Sequence, residues 1–255
     1  MLRRSLSLAR NTIRLYLSDP APLMVFIFMP LGLMAFLAPA SRALLVAQGY
    51  AHAGGAEQAV PGMTVMFSFF VIGVIGIQFY REQGWGTWDR LRVASGTLEI
   101  LVGKIVPGFL LLFLQLGVVF AAGALLFRLH VAGSLAALAL IAMGFALCIM
   151  ALTMALIAWC RTLDQLNVLA NVFAIVLSGL GGSFAPVSEL PGWAQAAARA
   201  SPAYWAMQGM RRVILDGEGM RTALATCLAL ACFAGLFTLL TVVRFNVGEV
   251  KNSET

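Results

Sequence analysis

Residues 134–159 read SLAALALIAMGFALCIMALTMALIAW, a run from Ser134 to Trp159 without one charged side chain. A helix rises about 1.5 Å per residue, so a run of this length crosses a hydrocarbon core about 30 Å thick. Five further stretches have the same character: Leu23–Ala43, Met63–Tyr80, Ile105–Phe127, Leu166–Phe184 and Thr222–Arg244. Six membrane spans are therefore expected.

The composition agrees. Of 255 residues, 61% are hydrophobic and 11% charged, where a soluble domain carries roughly a quarter charged. The mean hydropathy is +0.91. The net charge of +6 does not make a nucleic-acid surface, because the arginines are scattered among short loops, as membrane topology requires. Cys148, Cys160, Cys227 and Cys232 all lie within or at the ends of apolar segments and form no CxxC pair. No metal, redox or cofactor site is expected from them. His52 and His130 sit near segment ends, as solvated side chains. Leu37-Ala38-Pro39-Ala40 loosely resembles a signal-peptidase site, but the apolar run before it begins only after about 22 residues, so no cleavage is expected.

Ahead of the first span, Leu2, Leu6, Ala9, Ile13 and Tyr16 recur at spacings of three and four, while Arg3, Arg10 and Arg14 share another face. Such a helix, over residues 1–19, lies along a membrane surface with its arginines toward lipid phosphates, and Asp19-Pro20 ends it. Counting Lys and Arg at the span flanks gives eleven on the side of the termini and six on the other. Both termini are thus expected in the cytoplasm.

The spans hold no central carboxylate or histidine through which a proton or sodium gradient would be coupled. Their polar groups are hydroxyls and amides such as Ser68, Gln115, Asn171 and Ser178. Gly103-Lys104-Ile105 lacks the earlier glycine and the following Ser or Thr of a P-loop, so no nucleotide site is expected. Gly182-Ser183 has no base at membrane depth, which argues against a hydrolase and leaves no catalytic residue to name.

Other stretches carry more information. The loop at 81–104 has mixed charges, two tryptophans and glycines that permit a sharp turn, suiting either docking onto a soluble partner or a solvated connector. In span five, Asn167, Asn171 and Ser178 recur at helical spacing, with Asp164 beyond them. That stripe reads equally as a path lining or as interhelical hydrogen bonding. Met63, Met66, Phe67 and Phe70 in span two read as a soft apolar wall or as packing. Between spans five and six, Pro186, Pro191 and Pro202 break 186–221 into short pieces, which Trp193, Tyr204 and Trp205 would anchor at headgroup level. These pieces read as an outer gate or as an interfacial loop.

Arg81-Glu82-Gln83-Gly84-Trp85-Gly86-Thr87-Trp88-Asp89-Arg90-Leu91-Arg92 resembles the coupling-helix signature of ABC-2 type permeases. Gly181-Gly182-Ser183-Phe184-Ala185-Pro186, Leu190-Pro191-Gly192-Trp193 and Ser201-Pro202-Ala203-Tyr204-Trp205-Ala206 resemble the outer segment of the same family. The resemblance implies an all-α integral membrane domain over 1–255. It would comprise an N-terminal amphipathic surface helix, six transmembrane helices, a cytoplasmic coupling helix and short outer re-entrant helices. It also implies an inner-membrane exporter half that pairs with a second permease chain, identical or different, and with two copies of an ATPase subunit that bind ATP and Mg. Glu82, Gly86, Thr87, Asp89 and Leu91 match the coupling motif. The family's substrates include drugs, antibiotics, lipid-linked glycans and haem. A membrane-anchored assembly or sensor protein without transport is the alternative reading.

Overall fold

The computed structural model describes residues 21–84 and 97–244, with side-chain placement for 24–80 and 105–244. Within them the chain is helical, without strands: α1 (Ala21–Ala47), α2 (Ala56–Gly84), α3 (Thr97–Leu126), α4 (Leu135–Trp159), α5 (Leu163–Leu180), a 3-10 turn (Val187–Glu189), α6 (Gly192–Ala198), α7 (Pro202–Leu215) and α8 (Met220–Arg244). The expected surface helix over 1–19 lies outside the described residues, as do Gly86, Thr87, Asp89 and Leu91. Glu82 falls in the last turn of α2, where only the backbone is described.

Six of these helices, α1 to α5 and α8, are long and apolar enough to cross a membrane. Several boundaries differ from the sequence expectation by one to seven residues, two of them for clear local reasons. The second span begins at Ala56 rather than Met63, because Gly55 turns the chain at φ +91 and Glu57 Oε2 accepts its N–H at 2.9 Å. The fifth span ends at Leu180 rather than Phe184. There Gly182 adopts φ +89, its N–H donates to Gly179 O, and the Ser183 N–H donates to Ser178 O. That pairing is the Schellman ending, which needs a residue free to adopt a left-handed backbone.

The loops 48–55 and 127–134 and the segment 181–219 gather at one end of the bundle, called distal here; the opposite end is proximal. Bonds between them define the distal end: Gln48 Nε2 donates to Ser188 Oγ at 2.9 Å, Tyr50 Oη to Asp216 Oδ1 at 2.7 Å, and the Ala132 N–H to Ile214 O at 3.0 Å.

α2 is the central element. Between Ala56 and Tyr80 only Phe70, Val74, Ile77 and Gln78 are less than fully buried. One face packs with α4, α5 and α7 in the main core, around Phe69, Phe145, Ile149 and Met207; another packs with α1 around Met34, Met63 and Phe67. α8 lies outermost, with Leu228, Leu239 and Val243 exposed. Lipid chains are as apolar as leucine, so van der Waals packing and interhelical hydrogen bonds hold such a bundle rather than hydrophobic burial.

Candidate functional site

α2 and α5 pack along a seam made close by small residues. A Cβ on Gly76 would collide with Leu166 Cδ2, one on Gly73 would come within 2.7 Å of Asn167 Oδ1, and one on Gly62 would strike Ser183 O. Backbones that approach this closely are the usual glue of membrane helices. At the distal end Gln58 Nε2 crosses the seam to Gly182 O at 2.6 Å. Gln58 Oε1 and Ser183 Oγ are buried there without hydrogen-bond partners.

The proximal end of the seam is tied as well. Tyr80 is 1% exposed, and its hydroxyl donates to the Cys160 carbonyl at 3.0 Å, pinning the end of α2 to the joint between α4 and α5. That joint is built from local sequence. Thr162 caps α5 by accepting from the Gln165 N–H at 3.3 Å, and Gln165 Oε1 accepts from the Arg161 N–H at 3.0 Å. Reciprocal bonds of this kind fix where a helix starts. Trp159 Nε1 reaches Leu240 O of α8 at 3.3 Å, so four spans, α2, α4, α5 and α8, converge at the proximal end, where Tyr80 stands. Tyr80 was not singled out from sequence, although a tyrosine at the end of an apolar run next to a charged loop is a signal for such an anchor.

The polar stripe of α5 does not keep one environment. Asn167 is half-buried against Gly73, Asn171 is exposed, and Ser178 is fully buried with its hydroxyl donating to Ala174 O. The three positions lie within about 40° of one another on an ideal helix, so the difference comes from what covers them. The start of α7 closes over the distal part of α5: Ser201 Oγ donates to Leu177 O at 2.7 Å, and Gly181 abuts Ala203. The same Ser201 hydroxyl accepts the Ala203 N–H and so caps α7. Met66 is 5% exposed inside the α1–α2 cluster, and Phe70 is half-buried, its ring 5.3 Å from Phe67 and 6.4 Å from Phe26.

The distal segment forms two short helices. α6 has seven residues and α7 fourteen, both too short to cross a bilayer. α7 buries Ala206, Met207, Met210 and Val213 among α2, α4 and α8. Pro186 is buried, whereas Trp193 is 73% exposed. The rings of Tyr204 and Trp205 meet edge to face at 5.5 Å, and Trp205 Nε1 donates to Arg199 O. Gln48 joins this segment to the end of α1, accepting from Arg211 Nη2 at 2.9 Å while donating to Ser188 and Glu189. A cleft of about 570 Å³ beside it is lined by Tyr50, His52, Glu57 and His130 among others. Among the described residues no three His, Cys, Asp or Glu side chains are grouped to hold a metal.

The sequence that folds into this six-span bundle has known relatives. The family model for ABC-2 type transporters matches residues 10–215, and the chain belongs to that family. It is 26% identical over 188 residues to the linearmycin resistance permease protein LnrN of Bacillus subtilis (strain 168), covering 73% of this chain and 48% of the relative. It is 29% identical over 138 residues to the probable multidrug ABC transporter permease YbhR of Escherichia coli (strain K12), covering 53% of this chain and 38% of that protein. The chain thus spans about half the length, or less, of these curated relatives.

Proposed function

We propose that this chain is the permease subunit of an exporter powered by a separate ATPase, moving an amphipathic or hydrophobic molecule such as a drug, antibiotic, lipid or glycolipid out across the inner membrane. The observation that carries this reading is the family match over 10–215, laid on spans with no charge at mid-depth. Among the described residues the acidic and basic side chains of the six spans are Arg42, Glu57, Asp164, Arg221 and Arg244, each within two turns of a helix end. An energy source outside the chain fits spans that offer no ion-coupling group. The names of the two relatives, which speak of linearmycin and of multiple drugs, support the substrate class.

In this reading both termini are cytoplasmic, and the distal cap, 186–221, faces outward. Two permease chains join two ATPase copies that bind ATP and Mg. The loop 81–104 docks on the ATPase through Glu82, Gly86, Thr87, Asp89 and Leu91. The exposed faces of α1 and α5, with Phe28, Phe36, Asn171 and Ile175, lie toward the second chain and the path. Asn167 and Asn171 supply its polar edge; Ser178, Met66 and Phe70 join it only when α2 parts from its neighbours. Pro186, Trp193, Tyr204 and Trp205 form the outer gate.

The test is to purify the tagged chain from its native cells, identify the soluble protein that accompanies it, and measure ATP-driven efflux from vesicles holding both. The expected companion is an ATPase whose retention falls in an Asp89→Ala, Leu91→Ala double variant. Each well-packed anchor at such an interface is worth about 1–3 kcal/mol. Full transport and normal ATPase retention in that variant would place the docking contact elsewhere. Purification with no nucleotide-binding partner would favour the non-transporting alternative.

A further inference from the structure

We propose that the groove between α3 and α4 is a binding site for one acyl chain of a membrane phospholipid, with the lipid phosphate held at Arg128. Gly117 and Ala121 of α3 and Leu135 and Ala139 of α4 line its open side, and Thr64 and Met210 line it from α2 and α7. The cavity is about 190 Å³, larger than the roughly 150 Å³ apolar cavity that admits a benzene ring. Its single polar liner is already satisfied, since the Thr64 hydroxyl donates to Val60 O at 2.7 Å. Nothing in the wall therefore asks an occupant for a hydrogen bond.

Position selects the occupant. α3 and α4 are membrane spans, so the exposed residues of this groove meet hydrocarbon rather than water. The groove exists because small residues stand where larger ones would close it: a Cβ on Gly117 meets nothing within 4 Å. Along α3 and its final turn, the fifteen positions from Phe113 to Arg128 rise about 22 Å. That is half of a bilayer about 40–45 Å thick with its headgroups, so a chain ending near Phe113 brings its phosphate to the level of Arg128. Arg128 is exposed there, in the turn that follows α3, at φ +53. An exposed guanidinium at that level is a bidentate partner for phosphate. The groove is separate from the α2–α5 seam, and its occupancy does not depend on what the protein transports.

The test is photolabelling of the full chain in vesicles of phosphatidylethanolamine and phosphatidylglycerol doped with a phospholipid bearing a diazirine at its chain end. Labels should concentrate on Phe113–Ala121 and Leu135–Ala142. They should fall several-fold in Gly117→Phe and independently in Ala139→Phe, each of which fills the groove. Arg128→Gln should weaken labelling by the phospholipid but not by a diacylglycerol carrying the same chain. Labels spread evenly over all exposed spans, or unmoved by both filling variants, would show only bulk lipid and overturn the site. A crosslink through these helices to a second copy of the chain would assign the groove to a subunit contact instead, and equal behaviour of the two probes in Arg128→Gln would remove the phosphate contact. The wild-type label map decides the chain site even if a variant fails to accumulate.

Discussion

The side-chain amide of Gln115 on α3 points its Nε2 at the backbone carbonyl of Phe26 on α1, 3.5 Å away. Phe26 is the residue whose carbonyl loses its helical partner, because Pro30, four residues on, has no N–H to give. In a bilayer core such a freed carbonyl must find a donor on a neighbouring helix. The contact is long for a hydrogen bond, and Gln115 Oε1 is itself buried without a partner, so its net worth is modest. Gln115→Leu should therefore cost about 0.6 kcal/mol, the average for such bonds between membrane helices. In a Pro30→Ala background the same substitution should cost nothing, since the alanine N–H then serves Phe26. Unfolding in detergent across the double-mutant cycle reads the difference; equal costs in both backgrounds would detach Gln115 from the proline.

Tyr80→Phe removes the bond to Cys160 while keeping the ring. A buried neutral hydrogen bond is worth about 1 kcal/mol net, so a modest fall in unfolding temperature is expected. On the proposed reading Tyr80 directly precedes the segment that docks on the ATPase, so ATP hydrolysed per substrate moved should rise in vesicles holding both subunits. An unchanged ratio at the lower stability would leave the bond with a purely structural role.

Gly62 and Gly76 should respond differently to the same added methyl. At Gly62 the obstacle is the backbone carbonyl of Ser183, which cannot step aside; at Gly76 it is the flexible tip of Leu166. Overpacking of this kind costs about 1–3 kcal/mol. Gly62→Ala should fall at the high end and resist rescue, whereas Gly76→Ala should be milder and recover when Leu166 is shortened to Val. Thermal unfolding of the three variants measures this, and equal losses at both glycines would contradict the seam as described.

Tyr50, outside the spans, has its phenol pushed above the ordinary tyrosine range, first by the hydrogen bond to Asp216 and then by burial and by the charge of Asp216, with Arg211 pulling the other way. Burial draws Arg211 down from its own range, but a guanidinium stays protonated at any workable pH. A phenol whose pKa is raised by folding contributes its stability fully below about pH 10, the unfolded value, and loses it as pH climbs through the folded one. Wild type should therefore lose stability relative to Tyr50→Phe as pH rises above about 10, the unfolded value, and the gap should stay constant below it. A constant gap throughout would mean that Tyr50 and Asp216 do not share the proton.

The spans were legible because 1.5 Å per residue and a dry interior leave apolar runs only one use; all six appear, with ends shifted by up to seven residues at α2. That shift was hidden because Gly55 and Glu57 read as loop until the distal contacts are known. The stripe on α5 was legible as spacing but not as environment, since α7, which begins 24 residues after Ser178, decides what is covered. Met66 and Phe70 carry no periodic mark that separates a wall from packing, and the structure sets them between α1 and α2. Gln58, Tyr80 and the glycines of the seam gave no signal of their own, because their partners lie from 80 to more than 120 positions away.

The bond from Tyr80 at one end of α2, and the bond from Gln58 with the close approach of Gly62 at the other, have a mechanical consequence. α2 and α5 are tied at both extremities, with close contact between, so a displacement of one helix at the proximal end draws on the ties at the distal end as well. On the proposed reading, a push from an ATPase at the proximal end would pass along this pair toward Gly182 and Ser183. α1, a single helix that carries Pro30 and Pro39 within it, stands outside this pair and packs on α2 and α3 through the apolar cluster around Met34, Met63 and Val119.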